Sequence, residues 1–127
     1  MAPDRVIVTG STGFVGRSVA AQLGRPFAAL PFGAAGWRGE LEAADFTRAT
    51  VIHLAGRAHR AGTHEEFSAD NVEKAQALAR RAVAGGARRL IFLSTIKVNG
   101  EETRARAFTP EDAPAPEDDY GLSLIHI

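Results

Sequence analysis

The stretch Val6-Ile7-Val8-Thr9-Gly10-Ser11-Thr12-Gly13-Phe14-Val15-Gly16 decides the fold. It opens on short, β-branched apolar residues without alternation, the pattern of a strand buried on both faces. Glycines follow at once, and Val15, Val19 and Leu23 then recur at the spacing of an amphipathic helix. Gly24 and Pro26 stop that helix. A strand that hands over to a helix in this way asks for glycine at three places. Gly10 permits the tight turn, Gly13 lets backbone N–H groups approach a pyrophosphate, and Gly16 lets helix pack against strand. With the strand before and the helix after, the trio reads as a dinucleotide-binding turn that includes Ser11, Thr12, Phe14 and Val15.

Outward from this turn, Phe27 to Leu30 reads as a weak second strand, and Pro31 to Thr47 is Gly/Ala-rich without a clear assignment. Thr50-Val51-Ile52-His53-Leu54 is again a buried-strand run. Val72, Ala75, Ala79 and Ala82 keep helical period within a helix predicted from about Glu65 to Ala84. Gly85-Gly86 ends it, and Leu90-Ile91-Phe92-Leu93 is a third buried strand. Strands alternating with helices at these lengths predict right-handed βαβ units and a parallel sheet covered on both faces. The fold class is therefore α/β, a Rossmann-type doubly wound sheet of which the first strands and helices are present. The segment from Asn99 to Asp119 carries Pro110, Pro114 and Pro116 among many carboxylates, so it reads as a surface connection or a lid. There is no internal repeat.

Composition narrows the function. The 127 residues suffice for one domain, and 45% hydrophobic with 24% charged residues is a globular balance. Fifteen basic against fifteen acidic residues give no net charge, which argues against nucleic acid or an anionic membrane surface as partner. The chain has no cysteine, which excludes disulfides, a thiolate nucleophile and Cys-ligated metal. Its four histidines show no metal-ligand spacing, so no metal is expected. Neither a signal-peptide pattern nor an apolar run of membrane-spanning length is present, and the expectation is a cytoplasmic domain.

The glycine spacing is Gly-x-x-Gly-x-x-Gly, and here the chain resembles the short-chain dehydrogenase/reductase superfamily, in its extended branch of NAD-dependent epimerases and dehydratases. Four further segments match in order. His53-Leu54-Ala55-Gly56 looks like the family's strand motif whose backbone passes the cofactor, and Asn71-Val72 like its helix asparagine. Leu93-Ser94-Thr95-Ile96-Lys97-Val98-Asn99-Gly100 resembles the strand end that carries the catalytic Ser/Thr. Asp119-Tyr120-Gly121 looks like the start of the Tyr-x-x-x-Lys motif. The resemblance spans Val6 to Gly121, and its wording is similar to nucleotide-sugar 4-epimerases and 4-ketoreductases of bacterial surface-polysaccharide synthesis.

By that resemblance Tyr120 is the general acid/base and Thr95 the hydroxyl that bonds the reacting sugar oxygen. A phenol of pKa about 10 needs help to act as a base at neutral pH. In the family a lysine four residues on and the nicotinamide provide it. The resemblance further implies cofactor contacts at Gly10, Ser11, Thr12, Gly13, Phe14, Val15, Gly16, Leu54, Ala55, Gly56, Asn71 and Ser94. It also implies a substrate contact at Lys97, a nucleotide-sugar substrate and a homodimeric whole enzyme. Arg57, His59 and Arg60 follow a strand's carboxyl end, where phosphate contacts and a plain solvated loop are equal readings. His53, between Ile52 and Leu54, reads as a core histidine, and Arg80, Arg81, Arg88 and Arg89 as a solvated face.

The pattern is departed from in two places. The end of the second strand, Leu30-Pro31-Phe32-Gly33, offers neither an acid for a ribose nor an arginine for a 2′-phosphate. Arg38 is the nearest cation, and Glu40-Leu41 looks like the family's adenine-edge Asp-Leu pair, so the cofactor is NAD with NADP left open. The lysine expected four residues after Tyr120 is Leu124. Leu122-Ser123-Leu124-Ile125-His126-Ile127 resembles a translated frame of the mosaic-end adapter used in sequencing libraries. Residues 1–121 are therefore expected to be an incomplete NAD(P)-binding domain without its carboxyl-terminal substrate domain, and 122–127 a non-native tail. The rivals to an epimerase are a 4-ketoreductase and a non-catalytic dinucleotide-binding regulator.

Overall fold

The computed structural model describes residues 4–58 and 61–125. Four strands form one parallel sheet in the order β2-β1-β3-β4: β1 is Val6–Thr9, β2 Ala28–Leu30, β3 Thr50–His53 and β4 Arg89–Phe92. Thr9 pairs with Leu30 on one side and with His53 on the other, so the carboxyl ends of three strands are level. The chain leaves β1 for β2 on one side, then returns past β1 to lay down β3. The strand order reverses there, which is where open α/β sheets take their ligands. Helices alternate with the strands, as the Rossmann-like α/β class requires: α1 (Phe14–Gln22), α2 (Trp37–Ala43), then α3 (His64–Phe67), a π-helical stretch (Ser68–Glu73) and α4 (Lys74–Ala84).

The chain divides into two compact units, residues 1–56 with 76–93, and residues 57–75 with 94–127. In the first, Ile7 and Val51, register partners on one sheet face, pack with Leu30, Leu41, Phe46 and Leu78. Phe46 and Leu78 are among the largest fully buried side chains. Gly85 closes this core because a Cβ there would lie 2.7 Å from Cβ of Phe46. Arg81 is not a solvated residue: its guanidinium lies over Phe46 and donates to the carbonyls of Glu42 and Ala44. The unassigned Gly/Ala-rich stretch contains α2, whose Leu41 is the side chain that reaches the core.

Two expectations of burial are corrected. Leu90, Ile91 and Leu93 are 40%, 43% and 49% exposed, because β4 is the outermost strand and pairs with β3 alone. Val15 is 41% exposed, and Gly16 is the buried residue of α1.

In the second unit, α3 begins at His64 because Thr63 and Glu66 form a capping box, each side chain accepting from the other's backbone N–H. A 3₁₀ turn (Ile96–Val98) and α5 (Asp119–Ile125) complete it. Among the described residues no helix is long and apolar enough to cross a membrane.

Candidate functional site

The glycine turn belongs to the first unit. Gly10 has φ +68° and a Cβ there would meet the backbone N of Ala55 at 2.6 Å, so the turn lies directly on the chain leaving β3. At Gly16 a Cβ would stand 1.8 Å from the carbonyl oxygen of Gly10, which fixes α1 against the turn. Both glycines are demanded by the protein's own packing. Gly13 is different: its φ is −75°, and a Cβ would meet only the Gly10 oxygen, at an ordinary 3.4 Å. Its bareness leaves room outside the protein, as an approaching phosphate requires. Gly13 also provides no side-chain cap to α1, and Phe14 is 85% exposed there. These residues fit a dinucleotide.

Thr9 and His53 tie the strand ends together beneath this turn. The Thr9 hydroxyl accepts from the backbone N–H of Leu54 and of Ala55, both at 3.2 Å. Leu54 and Ala55 thus face the turn with backbone already hydrogen-bonded, and Gly56 follows them exposed. Phe32, just beyond β2, packs edge-on against both His53 and Trp37, and the Arg38 guanidinium lies 4.3 Å over the Trp37 ring. Arg38 and Glu40 are exposed on α2. Leu41, expected at the adenine edge, has its side chain in the core, 4% exposed, since the helix turns it inward.

Thr95 and Tyr120 fall together in the second unit. Thr95 caps the 3₁₀ turn, its hydroxyl accepting from the N–H of Lys97 at 3.3 Å. Tyr120 is the second residue of α5, half-buried, its ring 6.5 Å from that of Phe67. Gly121 brings the two elements together, because its would-be Cβ stands 2.5 Å from the carbonyl oxygen of Lys97. No side chain fits between α5 and the turn that carries Thr95. Asp118 fastens the same junction: one oxygen accepts from the N–H of Gly121 at 2.7 Å and the other from Lys97 Nζ at 2.9 Å. These two bonds hold the Asp118 carboxyl below its usual range. Asp118 is a positioning residue that the sequence reading passed over, although an aspartate just before a helix is a recognisable cap.

Asn71 is the asparagine expected at the cofactor. It lies in the π-helical stretch, 2% exposed, and accepts from the N–H of Arg57 at 2.7 Å while donating to the Arg57 carbonyl at 3.0 Å. Its amide also donates to the Ser123 hydroxyl at 2.9 Å, which donates to the carbonyl of Tyr120 at 2.7 Å. Ser123, assigned to the tail by sequence, is 2% exposed, and Leu122 to Ile125 continue the helix begun at Asp119. Arg57 spends its guanidinium on Asp70 at 2.9 Å and the Ala61 carbonyl at 3.1 Å. His59 and Arg60 lie outside the described residues. Ser94 is exposed beside Thr95, and Lys97 pairs with Glu101 and Asp118, which raises its pKa. Leu124 is half-buried one turn beyond Tyr120. The chain's other lysine, Lys74, pairs with Asp70 at 3.1 Å. Among the described residues no three His, Asp or Glu side chains group as metal ligands.

Residues 38–127 match the model of the NAD dependent epimerase/dehydratase family. A UDP-glucose 4-epimerase of Vibrio cholerae is 35% identical over 144 residues, which take in 95% of this chain and 44% of that protein. A short-chain dehydrogenase/reductase superfamily protein from Agrobacterium tumefaciens, solved with bound NAD, superposes with TM-score 0.82 at 28% identity, covering 96% of this chain and 42% of its own. RMD from Pseudomonas aeruginosa, complexed with NADPH, gives TM-score 0.77 at 24% identity, covering 98% and 46%. The chain spans less than half the length of each.

Proposed function

We propose, from a chain that belongs to the NAD dependent epimerase/dehydratase family, that it is the cofactor-binding part of a nucleotide-sugar 4-epimerase working at sugar C4. The observation that supports this best is the Gly121 junction, which sets Tyr120 and Thr95 on packed elements of one unit. The glycine turn would hold the dinucleotide's pyrophosphate against Gly10, Gly13 and the first turn of α1, where positive partial charge faces it. When bound, the nicotinamide supplies a reversible hydride acceptor.

The chain's own residues do the proton work. Thr95 donates a hydrogen bond to the sugar's O4, orienting it toward Tyr120. The Tyr120 phenolate takes the O4 proton as the C4 hydride leaves, giving a 4-keto sugar. Tyr120 returns that proton when the hydride comes back on the opposite face of the turned ring. The Lys97–Asp118 pair and Gly121 hold the two elements in place during both half-reactions. Leu124 supplies no charge to the phenolate, so the 127-residue chain turns over negligibly. The whole enzyme, read through beyond the codon for Gly121, would carry lysine at position 124, a substrate domain and a dimer interface.

The experiment is to sequence the source DNA across that codon and assay the product it encodes. Interconversion of a sugar nucleotide and its C4 epimer without net change in cofactor is the expected result. Stoichiometric consumption of NADPH with a 4-keto-6-deoxy sugar nucleotide would instead show a ketoreductase. A native stop after Ile127 would leave a dinucleotide-binding protein without catalysis.

A further inference from the structure

We propose that the open edge of β4 takes β4 of a second copy of this chain, antiparallel about a two-fold axis at Ile91, so that the 127-residue chain dimerises through one continuous sheet. The inference concerns the first unit alone and stands apart from the dinucleotide-binding reading of the glycine turn.

The ladder fixes which groups face outward. Arg89 donates its N–H to the carbonyl of Ala49, and Leu93 donates to that of His53. Main-chain groups alternate sides along a strand, so Arg89, Ile91 and Leu93 bond toward β3. The N–H and C=O groups of Leu90 and Phe92 therefore point to the other side of β4, where no strand lies among the described residues. Leu90, Ile91 and Leu93 are exposed, and neighbours along a strand point to opposite faces, so the edge is apolar on both. Past Arg89 the strand carries none of the charges or prolines that blunt an edge. The sheet's other edge, β2, is three residues long, and two of them are alanine.

The occupant follows from the symmetry of the edge itself. A two-fold axis normal to the sheet sets two β4 strands antiparallel. With the axis at Ile91, Leu90 meets the partner's Phe92 and Phe92 the partner's Leu90, and each pair exchanges its outward N–H and C=O groups. Moving the axis to Leu90 would set Phe92 opposite Arg88, whose N–H is already given to Ala49. Moving it to Phe92 would set Leu90 opposite Ser94, outside the strand. At the chosen register Ile91 faces its own copy in a pair without hydrogen bonds, where antiparallel strands approach most closely. Leu93 shares that face and meets the partner's Arg89, so the two Arg89 side chains stand at opposite ends of the joined strands. Arg88 is paired with Asp4 at 3.0 Å, so no unpaired like charges meet across the axis. Phe92 enters already ordered, its ring stacked 5.8 Å from that of His53.

The chain has no cysteine, so single introduced cysteines report the register directly. Sedimentation of the 127-residue chain should show monomer and dimer in exchange, with a dissociation constant on the order of 10–100 μM, the weak class to which so short an edge belongs. Ile91→Cys should oxidise to a disulfide-linked dimer. Leu90→Cys and Leu93→Cys, whose own copies stand beyond about 7 Å, should couple at least about tenfold more slowly. Ile91→Lys sets two ammonium groups across the axis and should weaken the dimer at least about tenfold, with urea unfolding still cooperative. Ile91→Val should stay within about threefold of the parent. A monomer at every concentration, whose Ile91→Cys form stays unlinked, would overturn the proposal and leave the edge to a further strand of a longer polypeptide. Equal coupling at all the cysteine positions would overturn it as well, since that is the mark of unordered association. So would open-ended oligomers, because a two-fold pair closes on itself.

Discussion

The hydroxyl of Thr9, last residue of β1, lies 2.6 Å from Nδ1 of His53, last residue of β3. That hydroxyl already accepts from the N–H groups of Leu54 and Ala55, so its two lone pairs are used and its one proton must go to the imidazole. Nδ1 is therefore the acceptor, and His53 is neutral with its proton on Nε2. That atom is buried without a hydrogen-bond partner, between the rings of Phe32 and Phe92. The histidine read as a satisfied core residue is satisfied on one side only.

Acid should therefore destabilise the chain before its carboxylates titrate. Burial lowers the His53 pKa from 6.5 to about 4, so the unfolded chain takes up a proton that the folded one refuses. The neutral form's contribution is complete above pH 6.5 and is lost as pH falls toward 4. The full shift corresponds to about 3 kcal/mol. Asp45 and Asp112, held near pKa 2 by backbone and arginine hydrogen bonds, add their loss only below about pH 4. Urea unfolding at several pH values between 7 and 4 should show the slope, and His53→Phe should flatten it. An unchanged slope in that variant would show that other groups set the acid sensitivity.

The glycines divide into those the fold needs and those it does not. Gly16→Ala would press a methyl to 1.8 Å from the Gly10 carbonyl oxygen, a backbone atom that cannot swing aside. It should cost about 1–3 kcal/mol and abolish dinucleotide binding. Gly39, within α2, has nothing within 4 Å of a would-be Cβ. Gly39→Ala should raise stability by about 0.5–1 kcal/mol. A Gly16→Ala protein as stable as its parent would mean that the turn is looser than this packing.

Why some of this was legible and some not follows from the range of the forces involved. The glycine turn is a local device, so its strand, spacing and helix can be read along eleven residues. The parallel sheet followed from βαβ spacing, and the pairing register confirms it. Burial is different, because it depends on neighbours the local sequence does not contain. Leu90 and Ile91 carry the apolar pattern of an inner strand and lie exposed at the sheet's edge. Arg81 looks like a surface charge until Phe46 and the carbonyls of Glu42 and Ala44 come beneath it. The π-helical stretch has no periodicity signal of its own, and so the inward turn of Asn71 could not be foreseen.

Asn71 should be among the least replaceable polar residues. Its amide satisfies both backbone groups of Arg57 and reaches the Ser123 hydroxyl, with Asn71 and Ser123 themselves buried. Asn71→Ala would strand two backbone groups and should cost about 2–4 kcal/mol. Ser123→Ala removes one hydroxyl that bridges Asn71 and Tyr120, and should cost about 1 kcal/mol. The double variant should lose less than the sum, because the two share a bond. Strict additivity in denaturant unfolding would show that the Asn71–Ser123 contact carries no energy.

Tyr120 is the chain's one tyrosine, so the absorbance of its phenolate can be followed without interference from another phenol. Leu124 lies four residues on in the same helix, which places it on the same face one turn away. A lysine there can lay its methylenes where Leu124 is half-buried and bring its ammonium toward the ring. An opposite charge at that range favours the ionised form, so Leu124→Lys should move the midpoint of Tyr120 ionisation down by about one unit or more. Leu124→Gln, of similar length without charge, should leave it in place. If both variants titrate alike, position 124 does not face the phenol and the family lysine would need another route to it. If only the lysine variant shifts, one charge separates this chain's tyrosine from the base that the proposed epimerase needs.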